Sequence, residues 1–286
     1  REGCAINDFI KPDRIVIGTD DPSLHDIFKE IYAPFNRKMD KIQFMDIKSA
    51  ELTKYASNAM LATKISFINE IANIAEVIGA NIDFVRKGIG ADSRIGHEFL
   101  YPGCGYGGSC FPKDLKSLIH TSKKKSYKPE LLQSVEDLNK RQKILPYIKI
   151  RKYYKNDLKN KKIAVWGLSF KPNTDDTRFA PSIDIIDKLL SSGAFVSAYD
   201  PVASLLSLFN RYKKRYRESK TSLSAIHKAD ALIICTEWKE FWSIHPNEFK
   251  TRMISPVIFD GRNIYNDKIM SNAEIIYFPI GKKLSL

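Results

Sequence analysis

From Asp46 to Ile78 the chain runs 33 residues without a glycine or a proline, and Gly79 closes the run. Ala, Leu, Ile, Lys, Glu and Asn dominate it, a composition that favours helix over turn or strand. The run predicts one helix of about nine turns, roughly 50 Å long at 1.5 Å per residue, with Gly79 as its stop. Its apolar and small residues (Leu52, Ala56, Ala59, Met60, Leu61, Ile65, Phe67, Ile68, Ile71, Ile74, Ala75) fall on several faces. A helix of that kind is predicted to be buried on more than one side, and a second subunit is a natural cover.

The segments on either side differ in character. Before the helix, Arg14–Gly18 is a β-branched run that predicts a strand, and Ile42–Met45 predicts another. Between them, Thr19-Asp20-Asp21-Pro22-Ser23 opens a helix to about Ala33. After the long helix, Asn81-Ile82-Asp83 caps a helix reaching about Ile89. A Gly-rich stretch follows from Pro102 to Asp114, then helices at Leu115–Lys123 and Pro129–Tyr153. From Lys161 the pattern alternates. Strands are predicted at Lys162–Trp166, Phe195–Tyr199, Ala231–Cys235, Val257–Asp260 and Ile275–Phe278, with a helix at Ser182–Ser191. Strands alternating with helices predict a parallel sheet covered on both faces. A strand, a glycine, a helix, and a strand ending in Asp200 is the opening of a Rossmann-type unit. Gly167-Leu168-Ser169-Phe170-Lys171 lacks the full G-x-G-x-x-G, which argues against a dinucleotide at this turn and leaves nucleotide binding open.

Hydrophobic content of 43% with 28% charged residues excludes a mostly disordered chain, and 286 residues suffice for about two domains. No apolar run approaches the roughly 18–20 residues of a membrane span, so no membrane partner is expected. Arg1-Glu2-Gly3 is not followed by a signal-peptide core, and it reads as the interior of a longer sequence. Cys4, Cys104, Cys110 and Cys235 are too few and too scattered for a disulfide scaffold, which points to a reducing, cytoplasmic location. The net charge of +13 is concentrated. Lys123–Lys162 holds fourteen Lys and Arg against four acids, and Arg211–Lys220 holds six against one. Tyr147, Tyr153 and Tyr154 interleave with the first run, as a nucleic-acid groove would require. The simpler reading is a solvated helix face and a charged linker, with no nucleic-acid partner.

Cys110 is the sharpest residue for chemistry. Glycines and a serine before it let the backbone approach a ligand closely. Phe111-Pro112-Lys113-Asp114 starts a helix after it, and a helix N-terminus beside a lysine is a setting in which cysteines act as nucleophiles. Cys104 and Cys235 read as packing thiols, and Cys4 has no assigned role. Lys54 and Asn58, four residues apart, share a face of the long helix. There a lysine either snorkels outward or serves a site. His25, His97, His120, His227 and His245 show no metal-ligand spacing, so no metal is expected.

Six motifs, in order and with compatible spacing, resemble the UDP-glucose 6-dehydrogenase family. They are Glu51–Ala59 (ELTKYASNA), Asp92–Gly96 (DSRIG), Gly105–Asp114 (GYGGSCFPKD), Trp166–Lys171 (WGLSFK), Asp175–Arg178 (DDTR) and Phe259–Arg262 (FDGR). The resemblance covers essentially the whole chain, and the Gly105–Asp114 run is the most specific part of it. It implies oxidation of the C6 hydroxyl of UDP-glucose to give UDP-glucuronate, with two NAD+ as cofactor. By resemblance, Cys110 attacks the C6 aldehyde to give a thiohemiacetal and then a thioester. Lys54 stabilises the oxyanion, Asn58 bonds the same oxygen or a water, and Asp114 handles water. Arg94 reaches the sugar nucleotide of a neighbouring subunit. Tyr101 to Gly107 line the uridine pocket, and Phe170, Lys171 and Arg262 face the UDP-sugar. Glu2, Cys110, Lys113 and Arg178 fall on the cofactor side.

The implied fold is α/β in three parts. Residues 1–45 are the remnant of an N-terminal Rossmann, NAD-binding domain. Residues 46–145 are a helical dimerisation and active-site domain with one long helix, and residues 146–286 are a Rossmann-like UDP-binding domain. A homodimer or higher homo-oligomer is implied. The family's G-x-G-x-x-G domain is not found in the 286 residues, so these residues alone are expected to lack dehydrogenase activity. The alternatives are another nucleotide sugar as substrate (UDP-N-acetylmannosamine or GDP-mannose), or a nucleotide-binding or dimerisation module without catalysis.

Overall fold

The computed structural model describes residues 5–36 and 40–283, so Glu2 and Cys4 lie outside the described residues. The chain divides into two compact units, 1–60 and 61–286, with the dividing point inside one continuous helix. The first unit holds α1 (Ala5–Ile10), β1 (Ile15–Gly18), α2 (His25–Tyr32), β2 (Ile42–Met45) and the opening turns of α3 (Ile47–Ile78). β1 and β2 pair in parallel, with Ile15 opposite Ile42 and Gly18 opposite Met45. The helix between them opens as a 3-10 turn at Pro22–Leu24, because the Asp21 carboxylate accepts the Ser23 amide at 2.9 Å and Pro22 fixes the next backbone angle.

The long helix forms as its composition predicts, over 32 residues. Its burial is narrower than the sequence suggested. Ala62, Ser66, Ile68, Asn69, Ala72 and Ala75 make one buried side. Phe67, Ile74, Val77 and Ile78 are exposed, as are Leu52 and Met60 further back. Within one chain, therefore, the helix is buried on one side only.

The second unit continues with α4 (Ile82–Gly90), α5 (Phe111–Lys124), α6 (Glu130–Lys143) and α7 (Leu145–Tyr153). The single helix predicted over Pro129–Tyr153 is two. Pro146 sits in the first turn of α7, where its missing N–H is harmless; inside a continuous helix its ring would strike the carbonyl one turn back. Tyr147 and Tyr154 pack inward, the latter donating to the Asp230 carbonyl at 2.8 Å, while Tyr153 lies edge-on to Phe259 and Phe278. Of the tyrosines in the basic run, Tyr147 is thus part of the core and Tyr154 is half-buried, whereas Tyr127 and Tyr153 are exposed.

The rest is β3 (Lys162–Trp166), α8 (Pro181–Ser191), β4 (Phe195–Tyr199), β5 (Tyr216–Glu218), α9 (Ser222–Ala225), β6 (Ala231–Ile234), α10 (Lys239–Trp242), α11 (Pro246–Arg252), β7 (Val257–Asp260), α12 (Asp267–Asn272) and β8 (Ile276–Phe278). These strands form one parallel sheet in the order β5-β4-β3-β6-β7-β8, the doubly wound arrangement with its switch between β3 and β6. Alternate residues feed two cores. Ile163, Val165, Ile233 and Phe259 join α7 and α8 on one face, and Ala164, Trp166, Ile234 and Ile258 meet Phe241, Phe249 and Met270 on the other. β5 was not foreseen: it is an edge strand hidden in the second basic run, where Arg217 points to solvent between Tyr216 and Glu218.

Candidate active site

In open parallel sheets, ligands bind beyond the carboxyl ends of the strands at the switch point. Here that edge carries Gly167 after β3, Asp200 after β4, Glu237 beyond β6 and the Asp260-Gly261-Arg262 corner after β7. Asp200 closes the first turn on itself. Its Oδ2 accepts from the Leu168 amide at 2.7 Å, the Ser169 amide and hydroxyl at 3.1 Å each, and the Trp238 indole at 3.1 Å. The amides that would cradle a pyrophosphate thus already hold a carboxylate. This turn therefore does not fit a dinucleotide, as its incomplete glycine motif indicated. The other strand–turn–helix, Gly18 to Leu24, is tightened by Asp21 and Pro22 and does not fit one either.

The Gly-rich segment lies against this edge. The Cys104 amide donates to the Gly261 carbonyl at 2.8 Å, and the Gly108 amide to the Arg178 carbonyl at 2.7 Å. At Gly107 a Cβ would stand 2.4 Å from the Phe179 carbonyl oxygen, and at Gly108 (φ +82°) one would stand 2.8 Å from the Phe170 ring, so only glycine permits this approach. From the helical side, three buried amides grip the same segment. Asn69 accepts the Gly103 amide at 2.8 Å, and Gln142 donates to the Gly103 carbonyl at 2.7 Å. Asn139 takes both backbone groups of Tyr106, accepting from N–H at 2.9 Å and donating to C=O at 3.1 Å.

Cys110 emerges from this clamp as the N-cap residue of α5, and it is exposed. Its Sγ lies 3.7 Å from the Ser109 hydroxyl. One turn on, Asp114 is wholly buried, with the Lys113 Nζ at 3.5 Å from its Oδ1. A helix N-terminus favours that carboxylate and any negative charge developing at the sulfur's position. Cys104 and Cys235 are buried, in keeping with packing roles.

Several of the remaining named residues meet here. Phe170 packs on Gly108, and its amide bonds the Asp176 carbonyl at 3.0 Å; Lys171 Nζ stands 5.4 Å from the Phe170 ring centre. Arg178 forks onto the buried Asp176 at 2.8 and 2.9 Å. Arg262 donates to the Cys235 carbonyl at 2.8 Å and pairs with Glu237 at 3.2 Å. Asp260 shapes that corner by accepting from the Arg262 and Ile264 amides at 2.8 Å each and from Tyr277 at 2.7 Å. Burial pushes the Asp260 carboxyl up, and these bonds oppose the shift. Arg94 is exposed and forked on Asp92, and Tyr101 lies under the Arg86 guanidinium at 4.7 Å. Lys54 and Asn58 lie one turn apart on α3 in the first unit, where Lys54 is exposed with its Nζ 4.9 Å from the Tyr55 ring centre and Asn58 is half-buried.

Family models describe this architecture directly. Residues 48–141 match the central domain of the UDP-glucose/GDP-mannose dehydrogenase family, and residues 164–267 match its UDP binding domain. The chain belongs to that family. It is 40% identical over 287 residues to UDP-glucose 6-dehydrogenase of Pseudomonas aeruginosa, covering 99% of this chain and 63% of that protein. It is 43% identical over 288 residues to UDP-glucose 6-dehydrogenase YwqF of Bacillus subtilis, again covering 99% and 63%. A UDP-glucose dehydrogenase from Pyrobaculum islandicum superposes with a TM-score of 0.85 at 30% identity, covering 99% of this chain and 62% of that one. The chain thus spans a little under two thirds of the length of these family members.

Sequence reasoning missed the clamp of Asn69, Asn139 and Gln142 and the turn-closing Asp200. A signal was present for the first group: each is an amide on the buried face of a helix, where a polar side chain needs a partner. Among the described residues no group of three His, Cys, Asp or Glu is placed to hold a metal, and no helix is long and apolar enough to cross a membrane.

Proposed function

We propose that the chain supplies the nucleophile and the UDP-sugar site of a UDP-glucose 6-dehydrogenase. The observation that carries this reading is an exposed Cys110 at the N-cap of α5, at the end of a clamped glycine loop laid over the switch-point edge of a UDP-binding sheet. Cys110 adds to the C6 aldehyde as a thiohemiacetal and holds that carbon as a thioester until water releases the carboxylate. Covalent capture keeps the reactive aldehyde in place between the two oxidations. By family resemblance, Lys54 is given the part of balancing the developing oxyanion, with Asn58 as a further donor. Asp114, one turn past Cys110 on α5, orients or deprotonates the attacking water.

Arg262 and Lys171 offer cationic contacts to the diphosphate, and Phe170, Gly107 and Tyr101 line the sugar-nucleotide path. Arg94, exposed and held straight by Asp92, reaches a neighbouring copy. NAD+ is the hydride acceptor this reading requires. Because neither described turn fits its pyrophosphate, no residue of those turns is given a part in hydride transfer. Lys113 and Arg178, together with Glu2 outside the described residues, are this chain's contacts with it. The exposed stripe Phe67, Ile74, Val77 and Ile78 on α3 supports a homodimer that covers it. The working division remains 1–45, 46–145 and 146–286, with the last part holding UDP.

Isothermal titration of the 286-residue chain tests the reading. UDP-glucose should bind more tightly than UDP-N-acetylmannosamine or GDP-mannose, and Arg262→Ala should weaken it at least tenfold. Preference for either other sugar would transfer the activity to that substrate, and no binding of any would leave only the non-catalytic module.

A further inference from the structure

The two basic runs, Lys123–Lys162 and Arg211–Lys220, lie far apart in sequence and converge in the fold. A cavity of about 240 Å³ is lined by Lys162 from the first run, by Lys213, Lys214, Arg215 and Arg217 from the second, and by His227. It lies at the amino ends of the strands, where β3 starts at Lys162, β4 at Phe195 and β5 at Tyr216. The candidate active site occupies the carboxyl ends, and the cavity shares no residue with it. No carboxylate lines the cavity, and among the described residues none of these five cationic side chains makes an ion pair. The nearby acids are engaged elsewhere. Asp230 holds the Lys161 ammonium at 3.4 Å and the Lys162 amide at 2.8 Å, and Glu218 accepts from the Leu205 amide at 2.6 Å and Tyr216 at 2.7 Å. Arg215 is steadied by the Leu190 carbonyl at 2.6 Å, and Arg217 donates to the Ser197 hydroxyl at 3.4 Å.

Five cations held around one concavity without a counter-charge repel one another, and they attract a multiply charged anion. Size narrows the choice. The cavity is below the roughly 300–1,000 Å³ typical of drug-sized ligands, which favours a compact group. A single phosphate carries about −1.5 to −2 at neutral pH and would leave most of the positive charge unmatched. A nucleic-acid strand would need stacking faces along an extended groove, whereas this is a compact cavity whose lining tyrosine, Tyr216, is buried. We infer that this cavity binds a di- or triphosphate group of a small molecule, with Lys213 and Lys214 as point charges and Arg217 as a forked donor. The inference rests on no part of the active-site reading.

Isothermal titration with inorganic tripolyphosphate, on the 286-residue chain at fixed low salt, should give one site per chain. The triple variant Lys213→Gln, Lys214→Gln, Arg217→Gln should weaken it at least tenfold. A nucleoside triphosphate losing affinity in the same variant would assign the site to a nucleotide tail. Tripolyphosphate bound with no nucleoside triphosphate binding would assign it to inorganic polyphosphate. In the unmutated chain, tripolyphosphate should shield Lys213 and Lys214 from acetylation while leaving the exposed Lys128 reactive. Absence of binding, many sites per chain, unchanged affinity in the variant, even shielding of all lysines, or a single-stranded oligonucleotide displacing tripolyphosphate at lower concentration would overturn the proposal.

Discussion

Asn139→Ala removes both partners of the Tyr106 backbone in one step. The Tyr106 N–H and C=O are held at 2.9 and 3.1 Å by this side chain, which is 4% exposed. Each buried backbone group left without a partner costs about 1–3 kcal/mol, so the change should destabilise the chain by roughly 2–6 kcal/mol. For a unit of about 150–250 residues, 1 kcal/mol corresponds to roughly 2–4 °C, which gives a fall in Tm of about 4–24 °C. Ser134→Ala, on the exposed side of the same helix, should stay within about 0.5 kcal/mol. The functional readout is separate: at a temperature where Asn139→Ala is still folded, UDP-glucose should protect Cys110 from alkylation less well than in the parent chain. Displacing the glycine loop by about 1 Å is enough for a large loss at a reacting atom. A variant with unchanged Tm and unchanged protection would show that Asn139 does not set the loop, and the clamp argument would fail.

Glycines at two positions should respond in opposite directions. Gly108→Ala, at φ +82° with the Phe170 ring in the way, should lower stability by about 1–3 kcal/mol, whereas Gly88→Ala, in open space on α4, should raise it by about 0.5–1 kcal/mol in urea titrations. Burial, with the nearby carboxylates Asp230 and Asp260 adding to it, pushes the phenols of Tyr154, Tyr265 and Tyr277 well above their usual range. A phenol whose pKa is higher folded than unfolded contributes stability that is complete below the unfolded value and is lost as pH rises past it. The urea midpoint should therefore fall above about pH 10, with these tyrosines ionising only as the chain unfolds; early ionisation without unfolding would contradict it. Val77→Glu with Ile78→Glu, at positions 86% and 72% exposed, should convert a dimer to a monomer in sedimentation, and a parent chain already monomeric would refute the covered-stripe reading.

Most of the framework was legible in local sequence signals. The 33-residue run without Gly or Pro could form little but a long helix, and the alternating β-branched runs forced a parallel sheet. What escaped depends on tertiary context. β5 lies inside a basic run, and its strand character comes from pairing with β4 rather than from its own residues. The break before α7 turned on one proline whose reading as helix interior or first turn is decided by packing. The glycine loop of the candidate site shows the same division. Its glycines announced a close approach but not to what, and Asn69, Asn139 and Gln142, which grip it, lie 34, 33 and 39 residues from their partners in sequence. Asp200 was visible as a strand-ending acid, yet its capture of the Leu168 and Ser169 amides, which explains why the first turn does not fit a dinucleotide, required coordinates.

The central claim is that Cys110 is a substrate-facing nucleophile. Limited iodoacetamide treatment followed by peptide mass spectrometry reads this directly, because Cys104 and Cys235 are buried and serve as internal references. The account predicts that Cys110 is alkylated well ahead of both, and that saturating UDP-glucose slows its labelling at least tenfold while UDP-glucose leaves the slow labelling of the other two unchanged. Equal labelling of the three thiols, or a Cys110 rate indifferent to UDP-glucose, would contradict it.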